Sequence, residues 1–465
     1  MVYNTYIRKG CRKLKIIIVG CGKIGTALIE SLSSEEHDIV VIDTNRKVLE
    51  EINNIYDVMC VCGNGADSDV LDEAGANKAD LFIAVTNSDE LNMLSCCFAK
   101  KMGAEHTVAR VRKTDYNDKS LVFMKQALSL SMPINPEYRA AKALYNLLKM
   151  PSAVTIEGFS SGGFEMLQLK LKSDSKLHGM TLSEIRGKFN SNFLVCAVQR
   201  DGKVFIPAGN FTLQGGDKIG VTANQTEILK LLKELNLIQK KAKSVIILGG
   251  SRTAFYLAKR LLSAGNNVKI IEQNLERCEE ISELLPAVSV IHADGTQQEV
   301  LEEEGISETD AFVALTGIDE ENILISYYAQ RKGVPKVIAK VNREELAEIA
   351  DSMGLDCVIS PKKIVANMLT RYARALENSM GSKVETLYKL MDSNIEALEF
   401  TVSHDFSAVN IPLKNMALKP QILIAGIIRG RNSIIPAGDD VIQAGDKVII
   451  IAGQKRLQDL SDILK

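Results

Sequence analysis

The chain has 465 residues, too many for one compact core and suited to three or four modules, and its 56 basic and 58 acidic side chains nearly cancel, so no global field recruits nucleic acid or an anionic membrane. Nine cysteines lack paired C-x-x-C spacing and the five histidines stand apart from them, which offers no metal-ligand set and fits a reducing cytosol. No stretch reaches the roughly 20 apolar residues of a membrane span, and the basic segment Met1 to Lys13 has no apolar run before a cleavage site, so a soluble, non-secreted chain is expected.

The first informative stretch is "KIIIVGCGKIGTALIESL", Lys15 to Leu32. Four apolar β-formers run into Gly20-Cys21-Gly22-Lys23-Ile24-Gly25, the order of a strand, a phosphate-cradling turn and a helix. Gly20 permits the tight turn, Gly22 lets backbone approach a phosphate, and Gly25 lets the helix sit close on the strand. Lys23 adds a point charge for phosphate or is a solvated surface lysine. A second strand, Ile39 to Ile42, ends at Asp43, where a ribose hydroxyl pair would lie. A carboxylate there disfavours a 2′-phosphate, so NAD(H) or an adenine nucleotide (ATP or ADP) suits the site better than NADP; the alternative for Asp43 is a cap on the next helix.

Further apolar strands follow at Leu81 to Val85 and Val108 to Val111, separated by segments of helical periodicity. Uninterrupted apolar strands alternating with helices predict a parallel sheet covered on both faces, the doubly wound α/β fold. Asn64, Gly65, Thr86 and Asn87 fall at strand ends along the carboxyl edge, where open α/β sheets bind ligands, and are otherwise turn formers. Arg110 ends another strand and is a candidate phosphate partner. Pro136 can then open an arm helix at its first turn. Beyond it, "VQRDGKVFIPAGNFTLQGGDKIGV" from Val198 gives short β-rich runs broken by turns, a small hairpin-built α+β domain read as a structural lid, a pairing module or a ligand-binding domain.

From Ser244 the series repeats. "SVIILGGSRTA" answers "KIIIVGCGKIG", and Glu272 lies 23 residues beyond Gly249 as Asp43 lies 23 beyond Gly20. "ADGTQQEVLEEEG" answers "GNGADSDVLDEAG", "KVIAKV" answers "HTVARV", Pro361 opens a second arm, and "IPAG" and "GDK" return at Ile435 and Gly445. Four domains follow from this duplication: 14–132 and 243–360 as Rossmann-like nucleotide domains, 151–235 and 385–465 as small α+β domains. The second nucleotide site keeps Gly249, Gly250, Arg252, Glu272, Asp294, Gly295 and Thr316, but Ser251 replaces Gly22 and Ala254 replaces Gly25. A serine at the middle position crowds close backbone approach, so this site either binds a different ligand or has lost binding.

This duplicated order of motifs, from the glycine turn through the Thr86 to Asn92 segment to the "IPAG…GDK" domain, resembles the tandem RCK (KTN) domain family, the cytosolic nucleotide-binding subunits of Trk potassium uptake systems. The resemblance covers about Leu14 to Lys465. It implies a regulatory, non-enzymatic protein that binds NAD or NADH, or ATP or ADP, and gates an integral-membrane potassium-translocating subunit from the inner face of the cell membrane. It also implies assembly into a homo-oligomer, a tetramer. The alternative reading is a soluble NAD-dependent oxidoreductase, which has no evident use for a second, degenerate cofactor site. His37, His106, His178, His292 and His404 occur in no repeated motif, so no catalytic base is assigned.

Overall fold

The computed structural model describes residues 13–35, 37–112, 118–149, 155–158, 163–237, 242–355, 357–379, 384–390, 395–453, 457 and 459–465. In the first copy β1 (Lys15–Val19), α1 (Lys23–Ser33), β2 (Asp38–Asp43), α2 (Arg46–Ile55), β3 (Met59–Cys62), α3 (Ser68–Glu73), β4 (Leu81–Ala84), α4 (Asp89–Met102), β5 (His106–Arg110), α5 (Asp118–Ala127) and β6 (Met132–Ile134) form a six-stranded sheet of order 3-2-1-4-5-6. All its described pairings are parallel, with β1 between β2 and β4. Successive side chains of a strand point to opposite faces. Ile16 and Ile18 therefore enter one core and Ile17 and Val19 the other, which is why β1 carries no polar residue after Lys15.

An arm helix α6 (Pro136–Lys149) leads to the first small domain, built from β7 (Thr155–Gly158), β8 (Glu165–Lys170), α7 (Leu182–Lys188), β9 (Leu194–Arg200), β10 (Lys203–Phe205), β11 (Lys218–Ala223) and α8 (Gln225–Glu234). The second copy repeats the parallel sheet with β12 (Ser244–Leu248), α9 (Arg252–Ser263), β13 (Asn267–Glu272), α10 (Leu275–Leu284), β14 (Ser289–His292), α11 (Gln298–Glu303), β15 (Ala311–Ala314), α12 (Asp319–Arg331), β16 (Lys336–Lys340), α13 (Glu344–Ser352) and β17 (Val358–Ile359). The second arm α14 (Pro361–Ser379) precedes β18 (Val384–Leu390), β19 (Ile395–Thr401), β20 (Ile422–Arg429), β21 (Asn432–Ile434) and β22 (Lys447–Gly453). Both arms begin at the expected proline, whose fixed φ suits a first helical turn.

The small sheets share one topology, with β8 and β9 flanking β11 in the first and β19 and β20 flanking β22 in the second, all antiparallel. They face each other through Phe164, Met166, Ala197, Ile395, Ala425 and Ile449, and the Thr222 hydroxyl donates to the Ala425 carbonyl at 3.2 Å. In the first, α8 covers the outer face with Ile228, Leu231 and Leu232. Among the described residues of the second, the helical turns are short 3-10 segments, Leu413–Asn415 and Leu460–Ile463.

The chain divides into two compact units. One contains the first parallel sheet and the second arm from Val365 onward; the other contains the first arm from Glu137, the second parallel sheet, the first small sheet and, from Thr386, the second small sheet. Each arm therefore packs on the other copy's sheet. Val365, Leu369 and Ala373 of α14 join the core of β1 and α1, while Leu144, Leu147 and Leu148 of α6 join that of β12 and α9. Each fully buried Leu or Val contributes about 1.5–3 kcal/mol, so either arm is held by several kcal/mol of apolar contact.

Candidate functional site

In the first copy β1 runs into Gly20 at φ +97°, a left-handed conformation open to glycine, and a Cβ there would lie 2.9 Å from the Thr86 nitrogen. At Gly25 a Cβ would lie 1.9 Å from the Gly20 carbonyl oxygen, so α1 crosses the turn at a distance only glycine permits. A Cβ at Gly22 would meet nothing within 4 Å: no protein contact demands glycine there, and the space above the turn is open. Gly22 is also the N-cap of α1 and supplies no side-chain acceptor, while Lys23 is exposed beside it. The result is a helix start with its partial positive charge directed at the open space above the turn, the geometry that accepts a phosphate.

Asp43 ends β2 and holds this turn. Its Oδ2 accepts from the Cys21 amide at 2.7 Å and its Oδ1 from the Asn45 amide at 2.8 Å. The N-cap of α2 is Asn45, which accepts from the Lys47 amide, so that role does not fall to Asp43. Burial, and then the nearby Asp43 charge, push the Cys21 thiol pKa up, so Cys21 serves as a small apolar filler between turn and sheet.

The second copy reproduces the acidic clamp. Glu272 Oε2 accepts from the Gly250 amide at 2.5 Å and Oε1 from the Asn274 amide at 2.8 Å, while Gly249 takes φ +92°. Ser251, expected to crowd the turn, is the N-cap of α9: its hydroxyl accepts from the Ala254 amide at 3.3 Å, occupying a donor that Gly22 leaves without a side-chain partner. A cleft of about 500 Å³ opens here, lined by Gly250, Ser251, Glu272, Arg277, Asp294 and Thr316. Arg252 is exposed at the start of α9, as Lys23 is at the start of α1.

The remaining predicted residues gather at the same carboxyl edges, mostly as builders of the loops. Asn64 Oδ1 accepts from the Ala66 amide at 3.0 Å, and Asp294 Oδ1 from the amide and hydroxyl of Thr296 at 3.0 and 2.7 Å. These bonds, the hydroxyl's first, lower the Asp294 pKa. Gly65 and Gly295 lie against the ends of β1 and β12, where a Cβ would come within 2.2 Å of Val19 and Leu248 side-chain carbons. Arg110 is buried and turned inward: its guanidinium donates to the Thr86 carbonyl and, at 3.3 Å, to Asn87 Oδ1. In the second copy Lys340 donates to the Leu315 carbonyl at 3.3 Å.

Two contributors were given no role from sequence. Asn92, fully buried on α4, accepts from the Thr86 amide and hydroxyl at 2.8 and 2.7 Å and donates to the Thr86 and Arg110 carbonyls; Asn322 repeats the amide and carbonyl bonds with Thr316 and Lys340. Its recurrence at the same place in both copies was the signal available. Arg277, whose Nε donates to the Gly250 carbonyl at 2.6 Å and which pairs with Glu280, adds a cation to the second cleft alone. Val48 stands at that place in the first copy, so the repeat gave no hint of it. Among the described residues no cluster of three His, Cys, Asp or Glu side chains could hold a metal ion, and no helix is long and apolar enough to cross a membrane.

Fold and site together define a class: a tandem protein of two Rossmann-like domains, each with an acid-clamped glycine turn and each followed by a small antiparallel-sheet domain. The TrkA-N domain matches residues 16–124 and 245–361, and the TrkA-C domain matches 166–236 and 397–465. A Trk system potassium uptake protein TrkA homolog of Archaeoglobus fulgidus is 30% identical over 452 residues, covering 97% of this chain and 100% of that one. The Trk system potassium uptake protein TrkA of Halomonas elongata is 31% identical over 455 residues, covering 97% and 99%. A solved GsuK channel bound to NAD shares the fold, with a TM-score of 0.62 at 17% identity over 95% of this chain and 77% of that one. The chain belongs to the TrkA family of Trk system potassium uptake proteins.

Proposed function

We propose that this protein is a nucleotide-sensing regulatory subunit: it binds NAD(H) or an adenine nucleotide in the first cleft and gates a Trk-type potassium-translocating subunit from the cytoplasmic face of the membrane. The observation that carries this reading is the Asp43 clamp. A carboxylate fixed on the Cys21 amide at the end of β2, beside an open helix start at Gly22, presents its remaining lone pairs where ribose hydroxyls would donate. A ligand that binds two arrangements of the domains unequally shifts their populations, and a coupling of about 1–3 kcal/mol suffices for regulation.

In the second cleft Ser251 and Arg277 alter the surroundings of an otherwise equivalent acidic clamp, so a different nucleotide or weaker binding is expected there. The functional particle is a homo-oligomer, a tetramer, peripheral to the membrane; light scattering showing a stable monomer at micromolar concentration would contradict this. The decisive test is potassium uptake in cells producing a Trk-type membrane subunit with this chain or with its Asp43→Ala variant. Uptake that responds to the intact chain and loses its nucleotide dependence in the variant supports the reading. Uptake indifferent to the chain refutes the partner, and substrate-dependent NADH oxidation at about 1 per second or faster would favour an oxidoreductase.

A further inference from the structure

The two arm contacts occupy equivalent places in the duplication but use different chemistry. Ser31 of α1 and Arg260 of α9 correspond, as do Thr370 of α14 and Tyr145 of α6. On the first domain the Ser31 and Thr370 hydroxyls bond at 2.8 Å, and one turn further on Arg374 Nε donates to Glu35 at 2.7 Å, both residues of the ion pair being buried. On the second domain the Arg260 guanidinium lies 5.3 Å from the Tyr145 ring centre and 6.0 Å from that of Tyr138, whose hydroxyl it also contacts at 3.3 Å. Ala264 stands where Glu35 stands in the first copy, and Lys149 stands where Arg374 stands in the second arm.

We infer that these contacts form a pairing code by which α14 recognises the first parallel-sheet domain and α6 the second, so that the arms exchange between the two unlike copies of one chain. The apolar faces agree at Ala141 and Leu144 against Ala366 and Leu369 but differ in size where Leu147 and Leu148 of α6 answer Tyr372 and Ala373 of α14, and such differences carry no charge penalty. The polar contacts do. With α14 placed on the second domain, Thr370 would face Arg260 and Arg374 would face Ala264, bringing the buried Arg374 guanidinium near a half-buried one without the Glu35 carboxylate. A buried charge deprived of its partner is strongly unfavourable, and specificity of this kind rests as much on the penalty of the wrong pair as on the strength of the right one. With α6 on the first domain, Tyr145 would meet Ser31 and lose the cation over its ring, although Lys149 could still reach Glu35. The code is therefore strictest for α14.

Disulfide trapping in the full-length chain tests the inference. Ser31→Cys with Thr370→Cys places two thiols where oxygens lie 2.8 Å apart. The expected product of mild oxidation is a crosslink within one chain, identified by peptide mass and by unchanged chain number on a non-reducing gel. Adding Glu35→Arg should lower the crosslinked fraction about tenfold or more. Adding both Glu35→Arg and Arg374→Glu, which restores an ion pair of opposite polarity, should recover it, which separates loss of recognition from loss of folding. A crosslinked fraction unchanged by Glu35→Arg, no recovery in the reversed pair, or crosslinks predominantly between two chains would each overturn the inference.

Discussion

Asp43→Ala is the most informative single change. The carboxylate satisfies two backbone amides, one of them on the buried Cys21, and the remaining acceptor sites of its two oxygens are free for a ribose. Hydrogen bonds to a charged acceptor are worth about 1.5–3 kcal/mol each, and leaving the Cys21 amide unpaired costs about 1–3 kcal/mol of local order at the turn. Loss of the ribose contacts alone should weaken NADH binding by roughly tenfold to a hundredfold, and disorder of the turn should add to that. Asp43→Asn keeps one acceptor oxygen for Cys21 but cannot accept from Asn45 through its NH2 group, so it should fall between alanine and the parent chain. Glu272→Ala, which disturbs only the other clamp, should leave the first cleft unchanged. Isothermal calorimetry on the three full-length variants decides the matter. NADH affinity within twofold of the parent in Asp43→Ala would refute the argument, and equal losses in Asp43→Ala and Glu272→Ala would show that Ser251 and Arg277 do not distinguish the clefts.

Gly25→Ala should destabilise the first domain by about 1–3 kcal/mol or more in denaturant titration, because its Cβ would fall 1.9 Å from the Gly20 carbonyl; Ala254→Gly, at the matching place, should cost about 1 kcal/mol through helix propensity alone. Asn92→Leu keeps the shape but leaves the Thr86 amide and the Arg110 carbonyl without their side-chain partner, while the Thr86 carbonyl keeps the Arg110 guanidinium; the expected loss is about 1–3 kcal/mol, with faster hydrogen exchange at Thr86. The Asp310 carboxyl is held below its usual pKa, chiefly by the Ser244 and then the Lys243 amide. Folding favours its ionised form, so this contribution is complete above the ordinary value of 3.8 and disappears as pH falls through the lower folded value. Asp310→Asn should accordingly flatten the acid limb of a stability profile below about pH 4 without altering its slope near neutrality.

The linear order of residues determined the duplication, the two parallel sheets, the proline-led arms and the glycine turns with an acidic residue at a fixed distance, since each rests on short-range chemistry. An apolar run that will be buried on both faces, a glycine that must take positive φ and a carboxylate at a fixed distance from a turn are visible within about 30 residues of one another. Ser251 marks the limit of that local reading: the substitution was evident, but its hydroxyl turns onto the α9 amide instead of merely filling the cleft. Tertiary structure alone decided which side chains meet which loops at the sheet edge. The inward turn of Arg110, the approach of Gly65 to Val19 and the placing of Arg277 on Gly250 depend on how loops meet at the sheet edge. The choice of domain by each arm is the clearest case. An amphipathic helix announces that it will bury a face but not against what, and both arms carry an apolar stripe. Their destinations become legible only when Glu35 is found beside Arg374, 339 residues away, and Arg260 beside Tyr138, 122 residues away.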